Sequence, residues 1–176
     1  MKTFKTLTAA LLLTLAGMSM AQAQSKPATG AMTEAELKER LISLGYEPKD
    51  APLSNNRMGY WINVPFKGQQ ASMFMQLSPS GANIWSTMNL AEIKPEHSTE
   101  GARFIKLFQL NQKHGPSHFY VTPDGKTICI TRCLFNKNIT AKELREHIDS
   151  LLDVTTQTTD NWNTNAWKVE KTSLNK

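Results

Sequence analysis

The sequence predicts an α+β domain in which helices pack on an antiparallel sheet, in the order α-β-β-β-α-β-β-α. Three observations carry that expectation. Two capping signatures of the form S/T-x-x-E, Thr33 with Glu36 and Thr140 with Glu143, each open a run with apolar residues at helical spacing. Between them, runs of alternating polar and apolar residues are joined by turns too short for a crossover, so adjacent strands must be antiparallel. Strands follow strands, without the regular β-α alternation of a parallel sheet.

The elements follow in chain order. Lys2 and Lys5 precede an apolar run of 11 residues, Leu7 to Gly17, and Ala21-Gln22-Ala23 has the small residues that a signal peptidase requires. Residues 1–23 are therefore expected to be a secretory signal, cleaved after Ala23, and the product to be periplasmic or secreted. The run is short of the roughly 20 residues needed to span a bilayer, and no later segment is apolar enough to do so. Residues 24–32 are small and polar, as in a disordered leader. Leu37, Leu41, Ile42 and Leu44 then give the first helix an apolar stripe, and Gly45 is placed to end it in the left-handed conformation.

Pro48, Pro52 and Ser54-Asn55-Asn56 read as turn chemistry. Tyr60, Ile62, Val64 and Phe66 alternate with Trp61, Asn63 and Pro65 in a strand. Met73, Met75 and Leu77 mark a second strand, and Ile84, Ser86, Met88 and Leu90 a third. A helix is expected from about Thr99 to His114, stopped by Gly115-Pro116. A hairpin turning at Pro123-Asp124-Gly125-Lys126 follows. Leu144, Ile148, Leu151 and Leu152 form the stripe of the last helix. Past Asp153 the chain turns polar, and residues 164–176 read as a tail. The domain is thus expected over 33–163.

The full chain has 20 Lys and Arg against 15 Asp and Glu. Without Lys2 and Lys5 the balance falls to +3, and the bases are interspersed with acids, which argues against a nucleic-acid partner. Two cysteines are too few to build a disulfide scaffold, so an apolar core must hold the fold.

The runs F-I-K-L-F-Q-L-N-Q-K-H-G, F-Y-V-T-P-D-G-K and N-I-T-A-K-E-L-R-E-H-I-D-S-L-L-D resemble the YbjN-like family, also called bacterial sensory transduction regulator. That family has the type III secretion chaperone-like fold. The resemblance spans roughly 33–163 and implies a binding or chaperone-like module without catalysis. No catalytic motif, cofactor or metal comes with it.

The residues themselves offer little chemistry. Cys129 and Cys133, four apart, share one strand face about 13 Å apart, beyond the roughly 7 Å a disulfide spans. Buried thiols facing the core are expected. A bond across a distorted strand end, or an intermolecular or redox role, is the alternative. His114 and His118 straddle Gly115-Pro116 and cannot share a helical face as zinc ligands would, so no metal site is expected. Glu143 and His147 read as a solvated pair on an exposed helix face. No nucleophile elbow or phosphate cradle is present.

The second face of the sheet is the candidate site. If Tyr60, Ile62, Val64, Met73 and Met75 meet the helices, then Trp61, Phe74 and Trp85 face the other way, with Ile128 and Ile130 joining them opposite the cysteines. Such a face suits a polypeptide partner or a second copy of the chain, and a free sheet edge could accept an extended peptide. The alternatives are a structural or stress-associated envelope protein with a non-peptide partner, and an enzyme using the histidines and cysteines.

Overall fold

Thr33 and Thr140 start the two helices that the sequence marks. Each hydroxyl accepts from the backbone N–H three residues on, at 3.2 Å, and the carboxylate of Glu36 or Glu143 accepts the cap's own N–H at 2.6 or 2.8 Å. They open α1 (Glu34–Ser43) and α3 (Ala141–Gln157). The structure, a computed structural model, describes residues 30–167. The expected signal segment, most of the leader and residues 168–176 lie outside the described residues.

Among the described residues, six strands form one sheet: β1 (Lys49–Pro52), β2 (Met58–Phe66), β3 (Gln69–Leu77), β4 (Asn83–Glu92), β5 (Ser117–Val121) and β6 (Thr127–Phe135). Their order is β1-β2-β3-β4-β6-β5, with every neighbouring pair antiparallel. Helix α2 (Gly101–Lys113) joins β4 to β5, and a short α4 (Thr159–Trp162) follows α3. The expected α+β architecture is what the chain adopts, with one strand more. β1 lies where turn chemistry was expected, because an edge strand needs only backbone pairing on one side, and Lys49-Asp50-Ala51-Pro52 carries no apolar alternation to reveal it.

The helices cover one face. Leu37 and Leu41 of α1, Leu107 of α2, and Leu144, Ile148 and Leu151 of α3 are fully buried against Ile62, Met73, Met75, Ile84 and Met88 of the sheet. Each such side chain contributes roughly 1.5–3 kcal/mol on burial. Arg145 of α3 holds the end of α1, its Nη1 donating to the Tyr46 hydroxyl at 3.0 Å and its Nη2 to the Leu44 carbonyl at 2.5 Å.

The folded unit extends past both expected borders. Met32 is buried, and its N–H and carbonyl bond the side chain of the buried Asn136 at 3.0 and 2.8 Å. Trp167 is 4% exposed, its ring edge-on to Phe104 at 5.2 Å and to His97 at 5.6 Å. The polar run after Asp153 remains helical through Gln157, with Val154, Thr155 and Thr158 buried and the threonine hydroxyls bonded back to their own helix. Thr155 and Thr156 donate their hydroxyls to the carbonyls of Leu151 and Leu152, at 2.8 and 2.9 Å, and Thr158 donates to Val154 at 2.6 Å.

Candidate functional site

Strand pairing sets the face turned away from the helices. One row crosses the whole sheet, Lys49–Trp61–Phe74–Thr87–Thr131–His118, each residue the cross-strand partner of the next. The adjoining row carries Gly59, Gln76, Trp85 and Cys133. Trp61 and Phe74 are in contact, ring centroids 4.9 Å apart and planes tilted by 42°. The Phe74 ring lies over Gly59, where a Cβ would come within 2.4 Å of it. Glycine at that position lets the ring lie against the backbone. Trp61 and Trp85 remain 37% and 36% exposed, and Phe135 at the end of β6 is 62% exposed. Among the described residues, no helix covers this aromatic patch.

The structure brings Trp61, Phe74 and Trp85 to this face but not Ile128 and Ile130. Both isoleucines are fully buried beneath the helices, so their assignment to the aromatic face is corrected. The thiols are where the isoleucines were expected. Cys129 pairs with Asn89 and Tyr120, and Cys133 with Trp85, so both lie on the open face as free thiols. Cys129 is buried there by its neighbours and donates to Asn89 Oδ1 at 3.2 Å; Cys133 is exposed. Burial pushes the Cys129 thiol up, away from reactive thiolate character. It also raises Tyr120, to about 12, with the adjacent Cys129 adding to the effect.

Neither sheet edge invites an added strand. On β5, the Asn111 side chain of α2 takes the place of a neighbouring strand: its Oδ1 accepts from Phe119 N at 2.6 Å and its Nδ2 donates to Phe119 O at 3.1 Å. On the opposite edge, β1 is short, ends in Pro52, and holds Asp50 in an ion pair with Lys38 at 2.7 Å. Recognition by strand addition is therefore disfavoured at both edges, leaving the face.

On the helix side a polar row interrupts the core. Ser86, Arg132 and Ser117 are successive cross-strand partners on β4, β6 and β5. Ser86 and Ser117 are fully buried, and Arg132 Nη1 donates to Ser117 Oγ at 3.1 Å. From α3, His147 Nε2 lies 2.9 Å from Ser86 Oγ. His147 is buried, not solvated beside Glu143, whose carboxylate is occupied at the Thr140 cap. Burial, and then the charge of Arg132, lower His147 to about 4, so it is neutral at neutral pH. Ser86 cannot reach a substrate without opening the core, so the serine–histidine contact anchors α3 and does not form a reactive dyad. The signal for this row was in the sequence: Ser86, Arg132 and His147 each fall at a position that the apolar period assigns to the interior.

Among the described residues, no group of three or more His, Cys, Asp or Glu side chains is arranged to hold a metal ion, and no helix is long and apolar enough to cross a membrane. No family model matches the chain, and no curated protein matches it. Among solved structures, the chain is similar to an uncharacterized protein from Methanothermobacter thermautotrophicus. That likeness has a TM-score of 0.54 and 14% identity over 76% of this chain and 98% of that one. It is also similar to YbjN from E. coli, with a TM-score of 0.47 and 13% identity over 71% of this chain and 90% of that one. An α+β fold is what the chain shares with the Methanothermobacter protein.

Proposed function

We propose that the protein is an exported, non-enzymatic binding module that holds a polypeptide, a second copy of this chain included, on the open face of its sheet. One observation carries the reading: Trp61, Phe74 and Trp85 form an aromatic surface on a sheet whose helices, among the described residues, pack on the other side. Large aromatic side chains with part of their surface in water are characteristic anchors of protein interfaces. The blocked edges direct a partner to this face and away from strand addition. Export comes from the signal-like segment at residues 1–23.

The test is the double substitution Trp61→Ala with Trp85→Ala, read by the size of the native complex in sedimentation velocity of gently extracted protein. Both side chains stand at the surface, so the variant is expected to fold, checked by its circular dichroism. The complex should shrink toward the monomer. A folded variant with an unchanged sedimentation coefficient would show that this face is not the interface.

A further inference from the structure

On the helix side, separate from the aromatic face and independent of its reading, α2 carries an exposed apolar pair. Leu107 marks the side of this helix turned to the core and is fully buried, with Phe104 and Leu110 half-buried beside it. At about 100° per residue, Ile105 falls about 160° round the helix from Leu107 and Phe108 about 100° round, so both point away from the core. Ile105 is 62% exposed and Phe108 41%. Three residues apart, they are neighbours on the helix surface.

The same helix carries bases and no acid. Arg103, Lys106 and Lys113 lie within Gly101–Lys113, which contains no Asp or Glu. Lys106 and Lys113 are exposed, and among the described residues neither is ion-paired with a carboxylate. Glu100, at the start of the helix, is held by Arg103 at 2.8 Å, and α4, which packs against α2, adds one acid, Asp160. Trp167 is seated on α2 as well, edge-on to Phe104 and with its ring centroid 5.8 Å from the Arg103 guanidinium. From that point the sequence runs on as K-V-E-K-T-S-L-N-K, three lysines against one glutamate. Positive charge is therefore gathered around the apolar pair.

We propose that α2 seats the protein on a membrane surface bearing anionic lipid, with Ile105 and Phe108 entering the headgroup layer and Lys106 and Lys113 meeting lipid phosphates. Apolar side chains flanked by bases are how surface helices hold anionic membranes, and long lysine stems let the ammonium reach the headgroups. A protein partner suits the patch less well, because interface anchors fill fitted pockets inside a dry rim, whereas these two stand on a convex helix beside lysines. The attachment is peripheral, since the main apolar stripe of α2 stays in the core. Two apolar side chains and a few charges make it reversible and sensitive to salt.

The test is co-sedimentation of the purified protein, from Gln24 onward so that the apolar leader does not itself bind lipid, with two kinds of vesicle. One is phosphatidylcholine alone, the other equal parts phosphatidylcholine and phosphatidylglycerol. The protein should pellet with the second and not the first, and salt should release it. Lys106→Gln and Lys113→Gln should each weaken binding about fivefold. Ile105→Ser with Phe108→Ser, both at exposed positions and checked by circular dichroism, should abolish pelleting. Trp61→Ala with Trp85→Ala should pellet like the unaltered protein, which separates this surface from the aromatic face. The proposal is overturned if the two vesicles bind alike or not at all, or if the α2 variants pellet unchanged. Loss of pelleting in the tryptophan variant would give the lipid to the aromatic face instead. A sedimentation coefficient that Ile105→Ser with Phe108→Ser lowers without vesicles would give the patch to a second copy. Nuclear Overhauser contacts from Ile105 and Phe108 to residues 168–176 would give it to the chain's own end.

Discussion

His147 is the residue whose environment departs furthest from what its position on a polar-looking helix suggests. In the unfolded chain its imidazole titrates near 6.5, and in the fold near 4. The unfolded state therefore binds more protons between those values, and stability rises with pH across that window. The full contribution is present above about 6.5 and is lost as pH falls toward 4; its size is on the order of 3 kcal/mol. His147→Gln should flatten the slope of unfolding free energy between pH 4 and 6.5, measured by urea denaturation. Ser86→Ala should keep the slope, because burial, the first cause of the shift, survives loss of the hydroxyl. A slope that vanishes in Ser86→Ala would place the cause in the hydrogen bond instead. The carboxylates at the caps act in the same direction, over a lower pH range. Backbone and hydroxyl donors hold Glu36 and Glu143 below the usual carboxylate range, so their stabilisation is present above it and lost as pH falls through it.

At the scale of elements, the clamp between α2 and β5 is the contact with the clearest purpose. Asn111→Ala would leave the N–H and carbonyl of Phe119 without their partner, at a cost of about 1–3 kcal/mol. The variant should show faster hydrogen exchange at the Phe119 amide, and a tendency to associate through the opened edge. Unchanged exchange at that amide would mean that the clamp does not protect it. Most elements were legible because period and capping agree, as at Thr33–Gly45, Tyr60–Phe66 and Thr140–Leu152. β1 was not, because edge pairing leaves no trace in apolar pattern. The threonine-rich end of α3 was not, because hydroxyls that bond their own helix make a buried segment read as polar. The orientation of β6 was misread for a different reason. Ile128, Ile130 and Leu134 mark the core parity, but Arg132 interrupts it, and the small cysteines at the odd positions look like core residues.

At the scale of the molecule, the aromatic patch was readable once two neighbouring strands were aligned, since pairing puts Trp61 beside Phe74 whatever covers them. The lower border of the domain was less readable, because a single tryptophan after a polar run has no period to announce it. Trp167→Ala should lower stability by about 3–5 kcal/mol, the usual cost of removing a buried aromatic ring. Thermal unfolding of the variant checks it; an unchanged midpoint would return Trp167 to the tail.

The strand order has a consequence for how the chain can be divided. β6 lies between β4 and β5, with Asn83 opposite Phe135 and Glu92 opposite Thr127, so the last strand in sequence is interior in space. A cut anywhere between Glu92 and Thr127 parts β4 from β6 and leaves β4 with a raw, apolar-backed edge. The molecule has no internal seam: neither half is a smaller version of the whole, and a shorter relative with the same architecture would have to lose its strands from the β1 side.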